Sequence, residues 1–393
     1  MTTTTAATTT DTGVSWYVND AVGPLPDGDF APLDRAPMRR HATLPGYRPT
    51  ELHDLPELAA RLGVAQLLVK DESVRMDLPS FKILGASWAS MHAVAGWLGV
   101  DPATLDLPTA RTALAGRGVA LVAATDGNHG RGVARMARLL GASATILVPE
   151  GTATARIEAI ASEGARVEVV EGTYDDAIAA SAALAGQASL VVSDTSWPGY
   201  ASVPRAVVEG YSTMFHEIDD AVTAHGYRPP SLVVLQAGVG AFAAAGLRHY
   251  RGSAVTVRAA EIRTAVVEPT SAGCLMASAR AGRLTEVPGP HRSTMAGLNC
   301  GLPSELVWPL VRAGTDVFVA IDDAWTDTAM RALAAVGVVA GESGAAGLGA
   351  LLAAADQPAL AAAVGLDANA SVLVVNTEGA TDPENYAAVL ARG

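Results

Sequence analysis

The stretch GVALVAATDGNHGRGVARMARLLGASATILVPE, residues 118–150, contains two apolar runs separated by a glycine-rich turn and an amphipathic run. The apolar runs at 118–125 and 143–150 are short and bounded by turn signals, which is typical of buried strands. The segment 129–142 has the apolar spacing of a helix and ends at Gly141. A strand, a helix and a strand joined by short connections predict a βαβ unit with a parallel sheet.

The same alternation continues on both sides of this stretch. Strands are predicted at 65–73, 166–172, 189–194, 231–238, 255–262, 316–323 and 371–377, and helices at 81–99, 152–165, 173–186 and 326–338. We therefore expect an α/β fold with mostly parallel sheets and helices on both faces, which makes three layers. Residues 14–60 carry six prolines between 24 and 49 and are predicted to be irregular.

The alternating unit near the middle of the chain is compact, which predicts two α/β domains. A smaller domain at 90–205 is expected to be inserted into a larger domain formed by 35–89 and 206–393. Residues 1–34 begin with a Thr-rich run and are predicted to be a disordered or irregular tail.

The composition excludes some classes of function. The chain of 393 residues has a net charge of −13, so we expect no binding to nucleic acid, whose phosphates would be repelled. The start of the sequence lacks the basic and apolar parts of a secretory signal, and no apolar run reaches membrane-spanning length. With only two cysteines as well, the sequence is expected to belong to a cytoplasmic protein without membrane contact.

Four loops carry the candidate chemistry, and each ends a predicted strand or opens a helix, where ligands bind in open α/β sheets. The first contains Ser80 and Lys82, which lies among apolar and small residues. A lysine in apolar surroundings has a depressed pKa, and its amine can form a Schiff base with an aldehyde. The alternative is a lysine that extends its amine to solvent at the start of a helix.

The second loop is TDGNHG, residues 125–130, between a strand and a helix. Asn128 offers a donor and acceptors, and the N–H groups that open the helix can hold a carboxylate. Asp126 would repel such an anion, so it either moves a proton or caps the helix. We interpret His129 as structural.

The third loop is QAGVGA, residues 236–241, in which glycines allow close approach of the backbone to a phosphate. Two alternatives are ordinary helix–strand packing and a dinucleotide fingerprint, with Ala243 at the third glycine position and Glu261 as the ribose ligand. The fourth loop begins at Thr377, which either presents a hydroxyl to a ligand or simply ends a strand. Together, an amine, a phosphate cradle, an amide and a hydroxyl suit pyridoxal 5′-phosphate.

The sequence resembles the diaminopropionate ammonia-lyases in the motifs SFKILGAS, TDGNHGRGVA, QAGVGA, MAGLNCG, GESGAAGLGAL and TEGATD, from about residue 35 to the C-terminus. These enzymes belong to the fold type II pyridoxal-phosphate enzymes, so the resemblance implies that fold and that cofactor. It also implies a homodimer that acts on a small amino acid. We assign no metal-ligating residue.

The resemblance implies roles for the matching positions. The cofactor would be held by Lys82 as an internal aldimine, by Asn128 at the ring hydroxyl, by Gly238, Val239, Gly240 and Ala241 at the phosphate, and by Thr377 at the ring nitrogen. The substrate would contact Ser80, Thr125, Asp126, Gly127 and Asp194. Lys82 would take the Cα proton of L-2,3-diaminopropionate, and Asp126 that of the D-isomer.

The implied reaction is α,β-elimination of 2,3-diaminopropionate through aminoacrylate to pyruvate and ammonia, with Asp194 holding the β-ammonium. One alternative is a serine or threonine dehydratase, or a β-replacement enzyme, on the same scaffold. Another is a scaffold or sensor without catalysis. The sequence departs from the family after Arg75, where Met76 and Asp77 stand in place of the common Phe-Gly pair.

Overall fold

The computed structural model describes residues 12–26, 30–125, 127–252 and 262–392. Their strands are β1 Val14–Val18, β2 Leu52–Asp54, β3 Gln66–Asp71, β4 Ala120–Ala124, β5 Ser143–Pro149, β6 Arg166–Val170, β7 Ser189–Val191, β8 Leu232–Gln236, β9 Arg263–Pro269, β10 Val317–Ile321 and β11 Ser371–Asn376. Each predicted strand in the described ranges is present, most of them with shorter bounds. The strand predicted at 255–262 lies outside the described residues except for its last position, and β9 follows it.

The helices alternate with these strands along most of the chain. They are α1 Ala36–His41, α2 Pro56–Leu62, α3 Lys82–Leu98, α4 Leu107–Leu114, α5 Asn128–Leu140, α6 Thr154–Ala161, α7 Tyr174–Ala183, α8 Ser202–His225, α9 Ala241–Arg251, α10 Cys274–Ala281, α11 Trp308–Gly314, α12 Asp323–Ala335, α13 Glu342–Ala355, α14 Pro358–Val364 and α15 Pro383–Ala391. Every helix predicted from the sequence is among them.

The strands form two sheets. The larger has the order β1-β10-β9-β8-β11-β3-β2, and only its edge strands β1 and β2 run antiparallel to their neighbours. The smaller has the order β6-β5-β4-β7 and is wholly parallel. The prediction of mostly parallel sheets is confirmed. The smaller sheet lies inside the predicted inserted domain, whose boundaries at 90 and 205 stay predictions.

Helices cover both faces of the larger sheet, because its strands are apolar on both sides. In β8, Val233 and Leu235 belong to one apolar cluster, which includes residues of α3, α5, α8 and α9. Leu232 and Val234 belong to a second, with residues of α2, α12, α13 and α14. This arrangement is the predicted three-layer α/β/α architecture.

The prediction that residues 14–60 are irregular is wrong. This range contains β1, α1, β2 and α2, and the predicted tail at 1–34 therefore includes an edge strand of the larger sheet. The prolines misled the prediction because Pro37 and Pro56 stand in the first turn of α1 and α2, where a missing N–H does no harm. Residues 1–11 of the predicted tail lie outside the described residues.

Four buried charges join β3 and α8 to the segment that leads into α3. The Nη2 of Arg75 lies 2.6 Å from Glu72 Oε1 and 2.7 Å from Glu217 Oε2, and the Nζ of Lys70 lies 2.7 Å from the same Glu217 oxygen. Burial opposes the ionisation of Glu217, but the bonds and charges of Arg75 and Lys70 outweigh it and lower its pKa. The cluster therefore holds two cations and two anions.

Helices α3 and α8 pack closely because two glycines lie at their contact. A methyl group at Gly85 would lie 2.5 Å from Tyr211 Cε1 and 2.8 Å from Val207 Cγ1. A methyl group at Gly210 would lie 2.6 Å from the carbonyl oxygen of Leu84. This contact fixes the position of α3, and with it that of Lys82 at its first residue.

We predict that Gly85→Ala destabilises the protein by about 1–3 kcal/mol, because the added methyl group overpacks the contact between α3 and α8. Gly96→Ala is the matched control in the same helix, since nothing lies within 4 Å of its added methyl group. It is expected to stabilise by about 0.5–1 kcal/mol through helix propensity. Urea unfolding of both variants measures the two effects, and equal free energies of unfolding would contradict the prediction.

Candidate functional site

The segment before Lys82 is bound to the loop that follows β11. Phe81 N–H donates to the Thr377 carbonyl at 3.2 Å, and Gly379 N–H donates to the Pro79 carbonyl at 2.9 Å. Ser80 and Glu378 form an antiparallel bridge between these bonds. Residues far apart in sequence are therefore brought to one edge of the larger sheet, at the carboxyl ends of its parallel strands.

The amine of Lys82 lies beside a carboxylate from the smaller sheet. Its Nζ donates to Asp194 Oδ2 at 2.9 Å, and Tyr174 Oη donates to Asp194 Oδ1 at 3.0 Å. Burial opposes ionisation of Asp194, but the charges of Lys82 and His129 and the two hydrogen bonds lower its pKa. The apolar and small residues around Lys82 in the sequence are therefore joined by an anion from a loop that is distant in sequence.

Residues 238–241 form a cradle between β8 and α9. Gly240 has a φ of 98°, which side-chain-bearing residues rarely adopt, and a methyl group at Gly238 would lie 2.7 Å from Cys300 Sγ. The cradle therefore requires glycine at both positions. Its N–H groups open an 11-residue helix, and this end of a helix favours a phosphate.

Thr377 is oriented by Gln236, a residue that the sequence placed in the third loop without a role. The Nε2 of Gln236 donates to the Thr377 hydroxyl at 3.0 Å and to the carbonyls of Val375 and Ser343 at 2.9 and 3.0 Å. The carbonyls can only accept, so they fix which end of the amide carries the hydrogens. The Thr377 hydroxyl accepts from Gln236, so its own proton remains for an acceptor on a ligand.

Asn128 is held by Glu378, a site residue that sequence reasoning missed. The Nδ2 of Asn128 donates to Glu378 Oε2, and Ser343 N–H donates to Glu378 Oε1 at 3.1 Å. Glu378 is 3% exposed. The signal in the sequence was a charged residue directly after a buried strand, within the motif TEGATD.

One cavity is lined by most of the predicted site residues. They are Ser80, Lys82, Asn128, Asp194, Gly238, Val239, Gly240, Ala241 and Thr377, and they are joined by Tyr174, Gln236, Asn299, Cys300, Ser343 and Glu378. Its donor set fits pyridoxal phosphate: an amine for the aldehyde, a glycine cradle at a helix start for the phosphate, and an oriented hydroxyl for the ring nitrogen.

Two predicted substrate contacts that the structure describes in the TDGNHG loop, Thr125 and Gly127, are not part of this lining. Thr125 is fully buried, and its hydroxyl accepts from Gly127 N–H at 2.9 Å and from Gly130 N–H at 3.0 Å. Its hydroxyl therefore shapes the loop. Gly127 packs against the Arg156 side chain, and Asp126 lies outside the described residues. His129 is buried, and its Nε2 lies 2.8 Å from the Val192 carbonyl, in agreement with a structural role.

The dinucleotide alternative for residues 236–241 has no support from the other loops, because a dinucleotide would make no use of Lys82, Asn128 or Thr377. Its acidic member, Glu261, lies outside the described residues. The prediction of plain helix–strand packing fails for a different reason: Gly238 and Gly240 line the cavity beside Lys82.

Comparison with known proteins agrees with this geometry. Residues 43–378 match the family model described as pyridoxal-phosphate dependent enzyme. The diaminopropionate ammonia-lyase of Escherichia coli K12 is 37% identical over 382 residues, which cover 93% of this chain and 94% of that protein.

Two crystal structures of the Escherichia coli enzyme share the fold of this chain. The complex of diaminopropionate ammonia lyase with D-serine has a TM-score of 0.87 at 34% identity. The complex with an aminoacrylate-PLP azomethine reaction intermediate has a TM-score of 0.86 at 33% identity. Each comparison covers 97% of both chains.

We predict that Glu378→Ala raises the dissociation constant for pyridoxal phosphate about tenfold, which corresponds to about 1.4 kcal/mol. The substitution leaves the Asn128 amide and the Ser343 N–H without their acceptor. Absorbance titration of the apoprotein with pyridoxal phosphate measures the constant. Glu384→Ala, at an exposed position six residues further on, is the control. The prediction fails if both variants bind the cofactor with the same affinity as the unaltered protein.

Proposed function

The chain belongs to the pyridoxal-phosphate-dependent enzymes and, among them, to the diaminopropionate ammonia-lyases, and on this premise we propose that it catalyses α,β-elimination of 2,3-diaminopropionate. The elimination gives ammonia and aminoacrylate, and water converts aminoacrylate to pyruvate and a second ammonia. The observation that carries the proposal is the contact of Lys82 Nζ with the ionised Asp194 in the cavity that contains the phosphate cradle.

The bound cofactor supplies an aldehyde for the substrate amino group and a ring that withdraws electrons from Cα. Lys82 is the amine that holds this aldehyde at rest, and residues 238–241 bind the phosphate. Asn128 bonds the ring hydroxyl and Thr377 the ring nitrogen. The Gln236 bond to the Thr377 hydroxyl supports this role, because it leaves the threonine proton for a ring nitrogen that carries a lone pair.

Two groups are proposed to move the Cα proton, one for each hand of the substrate. Lys82 takes the proton of the L-isomer, and Asp126 takes that of the D-isomer from the opposite side. Ser80, Thr125 and Gly127 belong to the loops that receive the substrate carboxylate. Ser80 does so from the cavity wall, whereas the bonds of the Thr125 hydroxyl support a role in shaping the loop.

Asp194 is proposed to hold the β-ammonium group of the substrate. Its carboxylate is ionised and is oriented by Tyr174, so it can exchange the Lys82 ammonium for the ammonium of the substrate. Keeping the β-nitrogen protonated makes it a neutral leaving group, because it departs as ammonia.

We also propose a homodimer that acts in the cytoplasm. The homodimer follows from the family resemblance, and the compartment from the presence of only two cysteines in the sequence. Among the described residues, no helix is both long and apolar enough to cross a membrane.

The proposal is tested by absorbance of the purified protein during addition of D- and L-2,3-diaminopropionate, with pyruvate assayed in parallel. We expect a visible cofactor band that each isomer perturbs, and pyruvate from both. Asp126→Asn should reduce kcat for the D-isomer by at least about a hundredfold and spare the L-isomer. A band that responds without pyruvate formation would reject elimination and favour β-replacement. A protein without a cofactor band would favour the non-catalytic scaffold.

A second prediction separates the charge of Asp194 from its shape. Asp194→Asn should lower kcat/KM for 2,3-diaminopropionate by about a hundredfold or more, because the β-ammonium loses a charged partner in a buried site. The loss for D-serine should be smaller, because its β-hydroxyl carries no charge. Tyr174→Phe, which keeps the carboxylate and removes one hydrogen bond, is the matched control with a smaller loss. Equal losses for both substrates would contradict the role of Asp194 in binding the β-ammonium.

A further inference from the structure

A second group of ligating side chains lies between α8 and α9, away from the cavity. His216 and Asp219 are contributed by α8 and His249 by α9, and one ligand atom from each lies within 4.8 Å of the others. None of the three lines the cavity described above. We refer to these three residues as the α8–α9 cluster.

Helix geometry explains why the cluster forms. His216 and Asp219 are three residues apart, so they lie on the same face of α8. His249 is in the last turn of α9, and its ring lies 5.1 Å from the His216 ring, centroid to centroid, at an angle of 79°. Its Nε2 lies 2.7 Å from Asp219 Oδ2. The two imidazoles and the carboxylate therefore converge from two helices that pack against each other.

A separate observation concerns the Nε2 atom of His216. Its Nε2 lies 3.1 Å from the carbonyl oxygen of Asp34. A carbonyl can only accept, so Nε2 carries the proton and Nδ1 carries the lone pair. Histidines that bind metals almost always donate their other N–H to a carbonyl or carboxylate in this way, which fixes the ring and its tautomer.

The surrounding charges leave the cluster available to a cation. Arg35, directly before α1, makes two hydrogen bonds of 2.6 Å to Asp220, so its charge is paired with that carboxylate. Asp219 is exposed to solvent, and its Oδ2 lies beside the His249 ring. A divalent cation can reach the site from solvent.

We propose that His216, Asp219 and His249 bind one divalent transition-metal ion, with Zn²⁺ as the best match and water as the fourth ligand. Two imidazoles and one carboxylate form a donor set that suits Zn²⁺, and also Ni²⁺ and Co²⁺, better than Ca²⁺ or Mg²⁺, which prefer oxygen.

The ion would stabilise the packing of α8 against α9. It would join α9, which begins at the phosphate cradle, to α8, which packs on the helix that begins at Lys82. The proposal is therefore independent of the substrate and of the reaction.

The test is calorimetric titration of the cofactor-loaded protein with Zn²⁺ after treatment with a chelator. We expect saturation at one ion per chain and a rise in the thermal midpoint at saturation. Co²⁺ in place of Zn²⁺ should give the visible absorption that is typical of a four-coordinate ion. The absence of saturable binding would overturn the proposal.

Variants identify the site. Asp219→Asn and His216→Ala should each weaken Zn²⁺ binding by more than about tenfold and abolish the rise in thermal midpoint. His225→Ala, which removes another histidine of α8 outside the cluster, should retain the affinity. Binding that survives Asp219→Asn and His216→Ala but is lost in His225→Ala would place the ion elsewhere and refute the assignment.

Discussion

The buried cluster of Arg75, Glu72, Glu217 and Lys70 is the constraint on which the placement of the active site depends. It joins β3 of the larger sheet to α8 and to the segment that enters α3. Such a cluster contributes little net stability compared with apolar residues, but removal of one partner costs about 3–5 kcal/mol because a buried charge is left alone. Its consequence is geometric: only one docking of these three elements satisfies all four charges.

The turn beside this cluster shows the same constraint. Met76 and Asp77 have φ angles of 54° and 59°, a conformation that glycine adopts more easily. Neither Met76 nor Asp77 is a glycine, and together they differ from the Phe-Gly pair that is common in the family. We infer that packing around Arg75 imposes the turn. From this turn the chain reaches Ser80, pairs with the loop after β11 and begins α3 at Lys82. The chain between the turn and α3 is short, so it leaves little freedom in the position of the Lys82 amine.

Much of the fold was predictable because the patterns that indicate its strands and helices lie within short segments of the sequence. Apolar periodicity and glycine stops gave the strands and helices between 118 and 194, and parallel sheets then require that the loops at their carboxyl ends meet. For that reason Lys82, Asn128 and Thr377 were recognised as members of one site. Edge strands and proline-initiated helices between 14 and 60 were missed, because proline weakens a helix interior but not its first turn.

The contacts between the side chains of the site were not predictable from the sequence, because they join positions that are far apart in the chain. Glu378 contacts Asn128 across 250 residues, and Asp194 contacts Lys82 across 112. The position of Glu378 directly after a buried strand was its only local signal, and Gln236 had no signal beyond that of a polar residue at a strand end. These contacts can be identified only when the positions of the two sheets relative to each other are known. For Thr125, the position in a ligand-binding loop predicted a contact with the substrate. Its hydroxyl instead accepts hydrogen bonds from N–H groups of the same loop.

The charges of the cavity relate this geometry to the choice of substrate. Among the described residues that line it, Lys82 is the cation and Asp194 and Glu378 are the acids. When the Lys82 amine is engaged by an aldehyde, Asp194 loses its closest ammonium partner. A buried carboxylate without a cation is unfavourable, so the site then favours a substrate that brings a positive charge to this position. The β-ammonium of 2,3-diaminopropionate meets this requirement, and the hydroxyl of serine does not. In the proposed function, the need of Asp194 for a cationic partner is what discriminates between the two substrates.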